Sequence, residues 1–206
     1  MLFVRETHHV NGERAREFES SYRDEWVPAV ARDADARVLW YANQSHLTCF
    51  AYHVFTITAL RDGAAWTRML ERIHCGDLVD AARALDGLRH DVDGCVMVPA
   101  GPPARDLTLA GVPVRGEHSA TLFVEDTIRT RGREAPEWTP DDGTEAVAVF
   151  SVMHPTSSNE FVLWRRVINL DLLVAAITAG RGIGSVSDIE HVDSRLQRVS
   201  TWSPLA

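Results

Sequence analysis

The pattern of hydrophobic and polar positions divides the chain into short strands and amphipathic helices. Residues 2–10 (LFVRETHHV) read as a strand that Asn11-Gly12 end. Past that break Phe18, Tyr22, Trp26 and Val30 recur every fourth residue, which puts four large apolar side chains on one face of a helix over 12–33. Two strands follow, ARVLWYAN (36–43) and AYHVFTITAL (51–60), separated by the loop QSHLTCF and ended by Arg61-Asp62-Gly63. A helical stretch over 64–90, with a break expected at Gly76, leads to a last strand, GCVMVPA (94–100). The order β-α-β-β-α-β is that of the ferredoxin-like split unit.

The unit recurs. LFVRETHHVNGERAREF (2–18) and LFVEDTIRTRGREAPEW (122–138) align without gaps at an offset of 120 residues. Seven positions are identical: Leu2/Leu122, Phe3/Phe123, Val4/Val124, Thr7/Thr127, Gly12/Gly132, Ala15/Ala135 and Glu17/Glu137. Neither segment is of low complexity, so duplication accounts for the match better than chance. The second copy is degraded, because Pro136 and Pro140 leave room for at most one turn of the helix that the first copy places there. Strands EAVAVFSVMH and EFVLWRRVI around the loop PTSSN, the helix LDLLVAAITA and a strand SRLQRVSTWSPL complete it. The expected organisation is α+β. A first ferredoxin-like β-α-β-β-α-β repeat occupies 1–100, a Pro-rich linker 101–117, and a second repeat lacking most of its first helix 118–206, the two fused into one α+β barrel. The missing helix uncovers one flank, where an open pocket mouth or a homodimer contact is expected.

Several segments carry a likeness to a known family. WYANQSHLTCFAYHVFTITALRDGAAW (40–66), Gly76-Asp77-Leu78, LRHDV (88–92), LFVEDT (122–127) and the terminal WSPL (202–205) resemble actinobacterial NIPSNAP-family proteins of the dimeric α+β barrel class. The likeness spans most of both repeats and departs at GREAPEWTPDDG, where relatives carry a longer helix, and at 180–188. It implies a fold, not one reaction. Related barrels include cofactor-free oxygenases of polyketide rings, cyclases, lactone isomerases and haem-handling enzymes.

Composition narrows the classes. Of 206 residues 45% are hydrophobic and 24% charged, as in an ordinary soluble globular protein. All 21 basic residues are arginine, and against 29 Asp and Glu they leave a net charge of −8. That balance argues against nucleic-acid or anionic-membrane binding, and the absence of lysine removes Schiff-base and phosphate-loop chemistry. No signal peptide or membrane span is legible, so a cytoplasmic location is expected. Cys49, Cys75 and Cys95 form no CxxC pair and read as reduced thiols, and no metal site is expected.

Strand alternation then selects candidate residues. Phe3, Arg5, Thr7 and His9 share one face, Phe123, Glu125, Thr127 and Arg129 another, and Val162, Trp164 and Arg166 a third. With the more polar side of the third strand (Tyr52, Val54, Thr56, Thr58) they describe a half-polar barrel lining with aromatic walls, suited to a small-molecule ligand. On this reading His9 or His53 accepts a proton, Glu125 is a second base or orienter, and Arg5 and Arg166 stabilise an anion or enolate. Trp40, Tyr52 and Trp164 form walls, with Arg129 and His46 as further binding groups. The expected activity is that of a small-molecule enzyme on a hydrophobic, aromatic or polyketide-like substrate, of oxygenase, cyclase or isomerase type, with no tightly bound cofactor. Two other readings use the same residues. Arg5, Glu125, Arg129 and Arg166 can instead clamp the repeats in a non-catalytic ligand-binding or scaffold protein, and His9, His46 or His53 can hold haem. His8 and His9 point to opposite faces and cannot share a metal.

Overall fold

The computed structural model describes residues 1–45, 50–101, 107–131, 143–153, 159–179 and 189–206. Eight strands run β1 (Leu2–Val10), β2 (Ala36–Ser45), β3 (Phe50–Leu60), β4 (Arg89–Pro99), β5 (Thr121–Thr130), β6 (Thr144–Val152), β7 (Glu160–Val167) and β8 (Ile189–Val199). They close into a barrel in the order β1-β3-β2-β8-β5-β7-β6-β4. Within it the first four strands stand β4-β1-β3-β2 and the last four β8-β5-β7-β6, which is the same ferredoxin-like permutation twice. Short antiparallel seams join the halves, Ala42↔Val199 to Gln44↔Gln197 on one side and Met97↔Val152 to Pro99↔Phe150 on the other. Each seam is three residue pairs long, so closure rests on the ends of β2, β8, β4 and β6.

The helices cover the outside. Residues 12–30 form one continuous helical rod: a 3₁₀ turn (Gly12–Arg14), α1 (Ala15–Ser21), a π segment (Tyr22–Trp26) and α2 (Val27–Val30). Pro28 accounts for the wide segment. It has no N–H for the Asp24 carbonyl, and the rod absorbs the mismatch by letting the Val27 N–H donate to the Tyr22 carbonyl. Phe18, Tyr22, Trp26 and Val30 are buried against the sheet, as their spacing requires. Helix α3 (Gly63–Cys75) starts where the Asp62 carboxylate accepts from the Ala65 N–H at 2.9 Å. It ends at Gly76, where a Cβ would lie 2.7 Å from the Arg72 Cα, and α4 (Val79–Asp86) follows. Helix α5 (Leu170–Thr178) is the one helix among the described residues on the second half's sheet.

Two boundaries differ from expectation. β4 begins at Arg89, not at Gly94, because the far end of β1 pairs with it, His9 facing Asp91 and Val10 facing Arg89. β8 spans 189–199, and the tail after it is not strand: Leu205 N–H donates to the Leu39 carbonyl, and the Ser203 hydroxyl accepts from Tyr41 N–H. The degraded helix of the second copy, the PTSSN loop and His46 fall largely or wholly outside the described residues.

Apart from a recess of about 130 Å³ beside Phe3, Trp40 and Phe150, the barrel interior is packed. Phe3, Trp40, Phe55, Phe123, Phe150 and Trp164 fill it, and Leu109 and Val112, from the stretch between the halves, join the same core. Trp164 lies between Phe55 and Phe123, with ring centroids at 4.8 and 4.7 Å. A second core lies between the first half's sheet and its helices. No helix among the described residues is long and apolar enough to cross a membrane.

Candidate functional site

The barrel lining differs from the one alternation suggested. On β3 the inward residues are Phe55, Ile57 and Ala59, while Val54, Thr56 and Thr58 face the helices and Tyr52 is half exposed outside. An eight-stranded barrel must fill its own lumen with side chains, so the apolar face turns in and the polar face out. Trp40 and Trp164 pack edge-on at 6.1 Å as core. Arg129 and Arg166 each stand one residue from a strand end, where the inward face opens to solvent, and pair with Glu160 and Glu145 instead of reaching the interior.

One ion pair crosses the lumen. Arg5 on β1 pairs with Glu125 on β5, strands that are not neighbours, at positions related by the 120-residue offset. Glu125 is buried and accepts a second bond from the Gln197 amide at 2.9 Å. The Arg5 guanidinium lies 5.6 Å from the Phe55 ring centroid. Burial alone would lower its pKa, but Glu125 and Cys95 outweigh burial and raise it, while burial pushes the Cys95 thiol up. Outside this clamp is a recess of about 310 Å³ lined by Arg5, Thr7, His9, Gln44, His53, Asp93 and Arg195. The structure thus brings His9, His53 and Arg5 together. His9 meets Asp93 at 3.1 Å and His53 meets Gln44 at 2.9 Å, with the two imidazole centroids 4.5 Å apart. The recess is polar throughout, and its charged groups are already paired. Asp126, the neighbour of Glu125, points the other way into a buried pair with Arg165 at 2.6 Å.

A different cavity has the composition of a ligand site. It holds about 210 Å³ between the outer face of β1 and β3 and the helices of the first half. Val4, Trp26, Val30, Leu60, Trp66, Met69, Leu70, Ile73, Ala82 and Leu85 make its walls, and Glu6, His8, Tyr22, Thr58, Asp86 and Arg89 its polar end. Asp86 holds the Arg89 guanidinium at 2.6 and 3.0 Å, and Arg89 Nη1 donates to His8 Nδ1 at 2.5 Å. Arginine can only donate, so the His8 proton is on Nε2, facing the Thr56 hydroxyl at 3.2 Å. Burial first, then the Arg89 charge and His9, push His8 down to about 3, so it is neutral. Burial raises the Glu6 carboxyl, with Arg89 opposing and Asp86 adding. Among the described residues no hydrogen bond or ion pair within 4.0 Å engages that carboxyl.

Sequence reasoning passed over Glu6, His8 and Arg89. The available signal was that Glu6 and His8 share the helix-covered face of β1 with Val4 and Val10, an unusual place for two titratable groups. Arg89 was hidden inside the expected helix. No group of three or more His, Cys, Asp or Glu among the described residues is placed to hold a metal ion.

No protein-family model matches this sequence, and no curated protein is significantly similar to it. Solved structures are similar in fold. A protein described as a proposed monooxygenase from Fusobacterium nucleatum superposes with a TM-score of 0.59 at 9% identity, over 98% of this chain and 94% of that one. The fold is that of the dimeric α+β barrel proteins. Chlorite dismutase from Candidatus Nitrospira defluvii shares it (TM-score 0.54, 12% identity, 97% of this chain and 90% of that one). The neighbours also include a NIPSNAP-domain protein from Burkholderia xenovorans, which covers 50% of this barrel chain with 98% of its own length at 17% identity and a TM-score of 0.41. Identities this low speak for the fold and leave the chemistry to the site.

Proposed function

We propose that the chain binds a small, neutral, largely apolar molecule in the helix-covered cavity and moves a proton on it with Glu6. The observation that carries this reading is a buried carboxyl group, with no hydrogen bond or ion pair among the described residues, at the polar end of a mostly apolar cavity. Burial raises its proton affinity, which makes it a stronger base than an exposed carboxylate. Arg89 stands beside it, fixed by Asp86 and by neutral His8, and its remaining N–H groups can stabilise an enolate or phenolate as the proton leaves. Isomerisation, ring closure and cofactor-free oxygenation all start from such an anion, which supports the isomerase, cyclase or oxygenase range. Haem, expected on His9, His46 or His53, is the less supported alternative, since His9 is engaged by Asp93 and His53 by Gln44 and His46 lies outside the described residues. The barrel-mouth histidines fit a catalytic role less well, because His9, His53 and Arg5 already have partners.

The test uses 2-tetralone, a neutral bicyclic ketone with an acidic C–H. Saturable quenching of Trp26 and Trp66 emission and enzyme-accelerated exchange of that hydrogen in D₂O are expected. Glu6→Gln should leave binding within about threefold and slow exchange at least about 100-fold, whereas Ala82→Trp should abolish both. Exchange that survives Glu6→Gln would overturn the catalytic reading. Saturable binding without exchange would leave a binding protein in its place, and no binding at all would remove the cavity as a site for this ligand class.

A further inference from the structure

We infer that the Tyr22 hydroxyl is a second catalytic group of the helix-covered cavity, donating a hydrogen bond to a ligand's ketone oxygen while Glu6 removes the proton from the neighbouring carbon. The inference rests on the proton-transfer role proposed for Glu6 and narrows the ligand class to an enolisable ketone. Tyr22 borders the polar end of the cavity with Glu6, His8 and Thr58. It is 0% exposed, and among the described residues its hydroxyl has no hydrogen-bond partner. A buried hydroxyl in that state is costly, and a ligand oxygen would recover the loss. The Tyr41 hydroxyl is likewise without a partner and Tyr52 stands outside, but neither residue borders this cavity.

Packing fixes where the hydroxyl stands. The Tyr22 ring lies against His8, Phe18, Trp26 and Tyr41, with centroids 5.8, 6.0, 6.3 and 5.2 Å away. Tyr22 and Trp26 open and close the π segment and both border the cavity, and such widened turns recur at functional sites. Across the sheet, Glu6 on β1 faces Thr56 on β3. Burial first, then the Glu6 charge, push the Tyr22 phenol up, and the nearby Thr56 and Thr58 hydroxyls oppose this. The phenol therefore keeps its proton and can donate it to an arriving oxygen.

Base and donor complete an enolisation with no oxidant. The C–H bond breaks, its proton moves to the Glu6 carboxylate, and its electron pair becomes the enolate double bond as the carbonyl pair moves onto oxygen. Return of the proton to the same carbon gives exchange, and return to a conjugated carbon gives isomerisation. A neutral donor holds a ketone weakly and an enolate strongly, so Tyr22 acts on kcat more than on KM.

Tyr22→Phe should slow exchange of the 2-tetralone C–H in D₂O about 100-fold in kcat, with KM within about threefold. The melting temperature should not fall, because the hydroxyl removed makes no hydrogen bond. The infrared carbonyl stretch of ¹³C-carbonyl 2-tetralone bound to Glu6→Gln should lie below its value in hexane, and adding Tyr22→Phe should raise it. Should Tyr22→Phe fold poorly, 3-fluorotyrosine in place of the three tyrosines supplies a more acidic donor and should lower that band further. A band unmoved by either change would overturn the inference, and so would an undiminished rate in Tyr22→Phe, while loss of exchange in Glu6→Gln kept the role of Glu6 standing. Exchange that survives Glu6→Gln, or no binding at all, would overturn the role of Glu6 and this inference with it.

Discussion

At the scale of single residues, the cavity's polar end makes stability depend on pH in two opposed ways. His8 is held neutral, its folded value pushed to about 3 against an ordinary 6.5, so the unfolded chain binds more protons between those limits. Its contribution is complete above 6.5 and is lost as pH falls towards 3, by about 1 kcal/mol for each pH unit. Glu6 is raised, so its term is favourable below the ordinary carboxylate range and is lost as pH rises through the folded value. Denaturant titrations of His8→Gln should therefore show a flatter acid limb. Glu6→Leu should be more stable than wild type at pH 7 while losing proton transfer, a trade between stability and function at one carboxyl. Across the barrel, Glu125→Leu should cost about 3 kcal/mol by stranding the Arg5 charge, the low end for a broken buried pair because Arg5 keeps 17% of its side chain exposed. Adding Arg5→Met should recover part of that loss, as expected of a clamp between the halves.

At the scale of elements, short-range chemistry made much of the chain readable. The four-residue spacing of Phe18, Tyr22, Trp26 and Val30, the Asp62 cap and the Gly76 break depend on neighbours within a turn or two. Asp62→Ala should cost about 1 kcal/mol in thermal or denaturant unfolding. The strand faces were harder to read. Alternation separates Tyr52, Val54, Thr56 and Thr58 from Phe55, Ile57 and Ala59, but it does not say which set turns inward. The packed lumen decided that, and the polar set went beneath the helices, where Thr56 now partners His8. Arg89 was misplaced for a related reason, since pairing with β1 across the sheet overrode a local helical pattern.

At the scale of the whole molecule, closure is the governing fact. Residues 1–100, the proposed first repeat, cut from the rest would leave β2 and β4 as open edges, so the fragment should associate or aggregate, as sedimentation can check. The sequence by itself determined most of the elements and their ferredoxin-like order in both halves, and it set Arg5 and Glu125 at equivalent positions, because these rest on local periodicity and on an offset of 120 residues visible in the letters. The closed barrel decided that Glu125 takes Arg5 and not Arg166. Only the tertiary structure decided which residues line each cavity. Whether a lumen is filled depends on side-chain volume summed over eight strands, and the Glu6, His8 and Arg89 cluster joins residues 81 apart in the chain. Burial and partnership of that range have no signature in a local pattern, and they set both the neutral His8 and the raised Glu6.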